Sequence, residues 1–223
     1  MSIQAKRAHT AESKINNLLV TMGVKVDEAV DRAITALLDT DSHVVAGVLE
    51  SSVAIQELEL TLDKAVFSAL KNGAVGAAEI KRVTSALNIS KDLSRLGRLA
   101  ANLGRKVTEV GRHQAHEDFS RLQPLAIAVS HLCRQTLRSL ARLDPVLARN
   151  AAEGGASVDA YRDYVLRGLS RQQAQARAEQ DLHLIFASRC LEQIADNAIH
   201  VADNLVIFLE AQNEQEDRRS MAS

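Results

Sequence analysis

Aromatic residues, cysteine, proline and glycine are all scarce in this chain of 223 residues. Tryptophan is absent, the aromatic fraction is 3% and the hydrophobic fraction is 46%, so Ala, Leu, Val and Ile must supply the core. These residues suit the close packing of helices better than sheets or aromatic-lined pockets. Ten Gly and two Pro argue against a protein made of many turns. The composition therefore favours an all-α fold.

The chain also lacks the marks of several functional classes. Cys133 and Cys190 have no C-x-x-C partner, so we expect no disulfide framework and a reducing cytoplasm. No apolar run approaches the roughly 20 residues that span a bilayer, and the first residues lack the apolar segment of a secretory signal. The formal net charge of −1 gives no reason to expect nucleic acid as a partner.

Apolar residues recur at steps of three and four through nearly every long segment, which predicts helices. Polar or glycine-containing breaks divide the chain into six of them. The predicted helices run from about Thr10 to Leu38, Ser42 to Lys71, Ala77 to Gly111, Asp118 to Leu143, Pro145 onwards, and Gln173 to Gln212. Asp144 is the predicted N-cap of the fifth helix, with Pro145 at its first position. The charged tail after the sixth helix is expected to fray.

Two segments about a hundred residues apart are copies of one helical pattern. Residues 93–102 (LSRLGRLAAN) match residues 191–200 (LEQIADNAIH) in their order of apolar and small residues. Each copy lies on the third helix of a series of three joined by short connections. The sequence therefore predicts two tandem, pseudo-repeated antiparallel three-helix bundles. We place the first bundle at residues 1–113 and the second at residues 114–223.

The later copy carries polar side chains of a metal-ligating kind. At about 100° per residue, four of them fall on one stripe: Glu192, Asp196, His200 and Asp203. Three carboxylates and an imidazole suit Zn, Mn or Fe. Helical rise separates Glu192 from Asp203 by roughly 16 Å, so no single ion can touch both. The geometry requires either a multinuclear cluster or an ion held by Glu192 and Asp196 with a ligand from another helix, for which Asp159 is the best candidate. The alternative is a solvated edge with Arg189 and Arg167 as counter-ions.

The earlier copy carries the opposite charge on the same stripe. Its four residues at these positions are Ser94, Arg98, Asn102 and Arg105. The third helix as a whole has more basic than acidic residues, and this surplus cannot bind a cation. It could bind an anion or an acidic partner surface, or it could be a solvated face. The two halves therefore differ in their chemistry.

In these two segments and in its repeated three-helix series, the chain resembles the PhoU family of phosphate-signalling regulators, from about residue 17 to residue 209. That family carries, in each half, a pair of acidic residues four positions apart on the second helix and another pair on the third. By position, the first-half pairs correspond to Ser52 with Gln56 and to Ser94 with Arg98. All four acidic ligands are missing there, so the resemblance implies no metal in the first half.

The second half keeps three of its four acidic positions. The pairs correspond to Gly155 with Asp159 and to Glu192 with Asp196. The family's Asn and Glu farther along that helix correspond to His200 and Asp203. Family members bind metal, commonly iron or zinc, on these faces. The resemblance therefore implies one metal site in the second half, with the candidate ligands Glu192, Asp196, Asp159, Asp203 and His200.

Family members contact a phosphate-responsive sensor kinase and the ATPase subunit of the phosphate importer. The resemblance implies a cytoplasmic, non-enzymatic adaptor that regulates phosphate uptake and phosphate-starvation signalling and that reaches the membrane only through its partners. The substituted first half also fits a divergent paralogue that regulates another transporter. Long amphipathic helices leave a side face to be covered, so we expect a homodimer.

Two other classes fit the residues less well. A carboxylate-ligated helical-bundle metalloprotein or metalloenzyme is the main alternative, but di-iron proteins of that type use Glu-x-x-His on two helices. This chain has one acidic stripe and no second Glu-x-x-His. A DNA-binding regulator is opposed by the neutral charge and by the lack of a helix-turn-helix pattern. No nucleophile signature, Gly-rich phosphate loop or HExxH pattern is present, so we predict that the chain is not an enzyme.

Overall fold

The computed structural model describes residues 3–39, 45–72, 76–112, 119–155, 158–161, 163 and 178–221. Its helices are α1 (Ile3–Asp39), α2 (Val45–Asn72), α3 (Ala77–Arg112), α4 (Gln123–Arg142), α5 (Pro145–Ala152) and α6 (Ala178–Met221). A 3₁₀ turn, Phe119–Leu122, leads into α4, and residues 158–161 are also helical. These ranges contain no strand, and the predicted all-α class is confirmed.

The start of α5 follows the local sequence closely. The Asp144 side chain accepts hydrogen bonds from the backbone N–H groups of Val146 at 2.9 Å and Leu147 at 3.1 Å. Pro145 stands directly after this cap, where its missing N–H and fixed φ cost nothing. Leu143, just before the cap, adopts the left-handed conformation with φ of 51° and ends α4. The predicted cap is therefore confirmed.

Two helices extend beyond their predicted ends. α1 begins at Ile3 rather than near Thr10, and α6 continues to Met221 although its charged tail was expected to fray. Both extra stretches are rich in Ala, Lys, Arg, Glu and Gln, which are strong helix formers. Because these charged residues are also good helix formers, their charge does not mark the end of a helix.

The helices pack as two groups of three that meet along one long contact. α1, α2 and α3 contact one another, as do α4, α5 and α6. α3 and α6 share the most extensive contact among the described helices, and α1 also packs on α4. The buried apolar side chains of both groups belong to a single cluster. The predicted boundary near residue 113 lies outside the described residues.

Close backbone approach and charge hold the two groups together at α1 and α4. A Cβ added at Gly23 of α1 would lie 2.9 Å from Leu140 Cδ2 of α4, so only glycine fits without displacing that leucine. An exposed ion pair between Arg134 and Asp31 joins the same two helices. None of the described helices has an apolar stretch of the length that crossing a membrane requires.

A buried arginine joins α1, α3 and α6. The Arg82 side chain on α3 is only 2% exposed. Its Nη2 lies 2.9 Å from Glu79 Oε1, and its Nη1 lies 3.9 Å from Glu12 Oε1 of α1. The guanidinium carbon stands 5.9 Å from the centre of the Phe208 ring of α6, within the range of a cation–π contact. Arg82 therefore lies where the two helix groups meet.

Candidate functional site

The acidic stripe of α6 borders a seam of buried apolar residues. Five side chains form that seam: Leu191, Ala195, Ala198, Ala202 and Leu205. Because the seam packs into the core, Glu192 lies partly buried beside it. The other three residues of the stripe, Asp196, His200 and Asp203, are exposed. Solvent can therefore reach the carboxylates while the helix that carries them is fixed.

Arg189 supplies a positive charge at one end of the stripe. Its Nη1 lies 3.9 Å from Glu192 Oε2, at the outer limit of an ion pair. The arginine side chain is largely exposed, so water and salt weaken this interaction. Arg167, the other counter-ion considered from the sequence, lies outside the described residues.

Asp159 lies on the short helical stretch that follows α5. One turn before it, Gly155 packs so closely on α6 that a Cβ there would lie 2.8 Å from Ile199 Cδ1. A side chain at position 155 would have to displace the end of the Ile199 side chain. This contact places the segment before Asp159 against α6 at Ile199, the residue that precedes His200.

The predicted ligands do not by themselves complete a metal site. Among the residues that the structure describes, no group of three or more His, Cys, Asp or Glu side chains is placed to hold a metal ion. Structural zinc sites use four protein ligands and catalytic ones three. The described donors alone therefore do not fit such a site. The metal-binding role of Glu192, Asp196, Asp159, Asp203 and His200 stays a prediction.

A polar cluster at the contact of α3 and α6 involves one of these residues. Asn204 Nδ2 lies 3.4 Å from Asp92 Oδ2 and donates to the His200 carbonyl at 2.9 Å. Asn88 Nδ2 donates to Asn204 Oδ1 at 3.3 Å. Burial raises the pKa of Asp92, although the charges of His200 and Arg95 and the Asn204 hydrogen bond oppose this rise. The His200 imidazole thus interacts with a carboxylate of the first half.

The first-half counterpart of the acidic stripe forms a basic groove between α2 and α3. Arg98 Nη1 donates to Ser94 Oγ at 3.1 Å, and Arg105 Nη2 donates to Asn102 Oδ1 at 2.9 Å. Ser94 is fully buried and the two arginines are exposed. The groove is lined by Ser52, Gln56, Arg95, Arg98, Leu99, Asn102 and Arg105.

α2 carries an exposed apolar face that was not predicted from the sequence. Four large apolar side chains on this helix are between 37% and 72% exposed: Leu49, Val53, Leu60 and Phe67. Their spacing of four, seven and seven residues places them on one face of the helix. That spacing was available as a signal, but buried residues of α2 such as Ile55 and Leu62 follow a second apolar line and conceal it.

Comparison with known sequences gives consistent matches. The family model described as the PhoU domain matches residues 19–107. The phosphate-specific transport system accessory protein PhoU homolog of Pseudomonas aeruginosa is 27% identical over 201 residues, which are 87% of this chain and 81% of that protein. The accessory protein PhoU of Escherichia coli strain K12 is 23% identical over 209 residues, which are 89% of this chain and 83% of that protein.

Two crystal structures share the fold. The structure of PhoU from Pseudomonas aeruginosa superposes with a TM-score of 0.82 at 26% identity, covering 90% of this chain and 97% of that one. The phosphate transport system regulatory protein PhoU from Streptococcus pneumoniae gives a TM-score of 0.77 at 18% identity, covering 93% and 96%. At that lower identity the second likeness concerns the fold alone.

Proposed function

The chain belongs to the PhoU family, and from that premise we propose that it regulates phosphate transport as a non-enzymatic adaptor at the cytoplasmic side of a phosphate transporter. The observation that carries this proposal is the likeness along nearly the whole chain to a protein named as an accessory of a phosphate-specific transport system. A helical scaffold of this kind acts through the surfaces that it presents to partners. The proposal therefore needs a docking face.

We assign docking to the exposed apolar face of α2, formed by Leu49, Val53, Leu60 and Phe67. A row of large apolar side chains on one helix face is costly to leave in water and typically marks an interaction site. The partner in this proposal is the ATPase subunit of the phosphate transporter, with a phosphate-responsive sensor kinase as a second partner. An amphipathic face of this type binds an apolar groove or helix of its partner.

Replacement of the two most exposed residues of this face, Leu60 and Phe67, should abolish docking. We expect Leu60→Glu/Phe67→Glu to bind the purified ATPase subunit at least about tenfold more weakly, because two apolar side chains that the partner would cover become charged. Biolayer interferometry measures the binding. Phosphate uptake, in cells where each variant replaces the natural chain, measures the regulation. Val24→Glu/Ile80→Glu is the matched control, since both residues are 52% exposed and lie on other helices.

Three outcomes would contradict parts of this proposal. Unchanged phosphate uptake after deletion of the chain would contradict a role in phosphate transport. An equal loss of binding in the control variant would contradict the assignment to α2. A dimer that the α2 variant converts to a monomer, with binding to the ATPase subunit retained, would assign the α2 face to the predicted homodimer instead.

We further propose that metal binding by this chain is confined to the second half. Ser52, Gln56, Ser94 and Arg98 offer no carboxylate in the first half, whereas Glu192 and Asp196 lie one turn apart on α6. Iron or zinc is the expected metal.

Elemental analysis of protein purified without chelator tests this second proposal. We expect stoichiometric metal in the wild type and in a first-half control, Arg98→Ala, and its loss in Glu192→Ala/Asp196→Ala. Wild-type protein without metal would contradict the proposal, as would metal retained in the double variant. The acidic stripe would then be a charged surface only.

A further inference from the structure

The basic groove between α2 and α3 has the dimensions of a ligand site. Its volume is about 480 Å³, within the range of small-molecule pockets. Three of its seven lining residues are arginines, and none is acidic. The groove occupies the place where the family resemblance puts the metal ligands of the first half. A cation is therefore excluded by charge, and an anion is favoured.

Neutral neighbours hold the arginines in place. Arg98 is fixed by the Ser94 hydroxyl and Arg105 by the Asn102 amide oxygen, each on the same helix. In the described part of the chain, neither guanidinium forms an ion pair with a carboxylate, and only Arg95 interacts with one, Asp92. Among the described residues, two of the three positive charges thus have no carboxylate partner, and their side chains need little reordering to bind an anion.

The spacing of the arginines determines what length of anion fits. Arg95 and Arg98 lie one turn apart, so both can contact one phosphate group. Arg105 lies about 15 Å from Arg95 along the helix axis, which is too far for a single phosphate to touch both. Guanidinium groups bind phosphate oxygens in a two-pronged geometry. We propose that this groove binds an anion that carries at least two linked phosphate groups.

A small ligand fits these observations better than an acidic protein surface. The arginines line a concave groove whose α2 wall contributes Ser52 and Gln56. Ser52 is almost completely buried, so a ligand must be thin enough to reach into the groove to contact that wall. A chain of phosphate groups has that form, whether it is free or carried by a nucleoside.

Isothermal titration calorimetry of the full chain tests the proposal without any partner protein. Tripolyphosphate, pyrophosphate, orthophosphate and adenosine triphosphate are titrated without divalent metal, at low and at about 0.15 M ionic strength. We expect tripolyphosphate to bind at one site and orthophosphate to bind at least about tenfold more weakly. Equal affinity for adenosine triphosphate and tripolyphosphate would assign binding to the phosphate chain, and tighter binding of the nucleotide would assign it to a nucleoside polyphosphate.

Variants locate the site. Arg95→Ala/Arg98→Ala should bind tripolyphosphate at least about tenfold more weakly, because charge-assisted hydrogen bonds are lost. Arg142→Ala, an exposed arginine in the last turn of α4, should change the affinity less than about twofold. Circular dichroism confirms that the variants are folded.

Four results would overturn the proposal. These are the absence of saturable binding, orthophosphate binding as tight as that of tripolyphosphate, an equal loss in Arg142→Ala, or unchanged binding in Arg95→Ala/Arg98→Ala. A glutamate-rich peptide that competes with tripolyphosphate and binds more tightly than it would assign the groove to an acidic protein surface instead.

Discussion

Phe208→Ala should lower the free energy of unfolding by about 3–5 kcal/mol. Phe208 is completely buried, and it is the largest fully buried side chain among the residues that the structure describes. It lies on α6 with its ring against the Arg82 guanidinium of α3, so its loss leaves a cavity at the most extensive contact between helices. Urea denaturation, monitored by circular dichroism, measures the change in the free energy of unfolding. It is read from the shift of the unfolding midpoint when the dependence on urea concentration keeps the same slope.

The neighbouring residue is the control for Phe208. Ile207 precedes it on α6 and is 38% exposed, so Ile207→Ala removes a large apolar side chain without opening a full cavity. We expect a cost below about 1.5 kcal/mol for this control. Equal losses in the two variants would contradict the location of the core at the contact of α3 and α6.

Arg82→Met should destabilise the chain by about 3 kcal/mol or more, since the variant breaks a buried charge pair and leaves the acidic partners in place. Glu79 and Glu12 would then face an apolar side chain at a site that is largely removed from water. Arg82 Nη1 has no hydrogen-bond partner in the described structure, so the guanidinium already carries a cost. The same urea titration measures the change.

Lys81→Met is the matched control for Arg82. Lys81 lies next to it on α3, and its exposed ammonium group lies 3.6 Å from Glu214 Oε1. Exposed pairs contribute about 0–1 kcal/mol, so we expect a correspondingly small change. The double variant Arg82→Met/Phe208→Ala should cost less than the sum of its parts, because the two side chains are in contact. Strict additivity would contradict the cation–π contact.

Local features of the fold were predictable from the sequence. The period of apolar residues gave the helices, and the order Asp144, Pro145 gave the start of α5, because both effects depend on neighbours in the chain. The start of α1 and the end of α6 were placed wrongly because no helix breaker marks them. Good helix formers without a cap leave the end of a helix undefined from sequence alone.

The surroundings of Arg82 and His200 could not be predicted because they depend on tertiary contacts. Arg82 has the sequence context of an exposed arginine in a charged helix, and only packing against Phe208 and Glu12 buries it. His200 stays a predicted metal ligand, and its electrostatic interaction with Asp92 of α3 was not foreseen from its place on the stripe. None of these pairings leaves a signal in the spacing of residues, since the partners lie 70 to 126 positions apart in the chain.

The single buried cluster to which both helix groups contribute has a consequence for binding. A chain whose halves share one core loses the folded form of both when either one opens. Any molecule that binds only the folded form therefore stabilises the whole chain by mass action, wherever on the surface it binds. A ligand in one half and a protein docked on the other would each make the chain more resistant to unfolding, with no change of shape required to connect them.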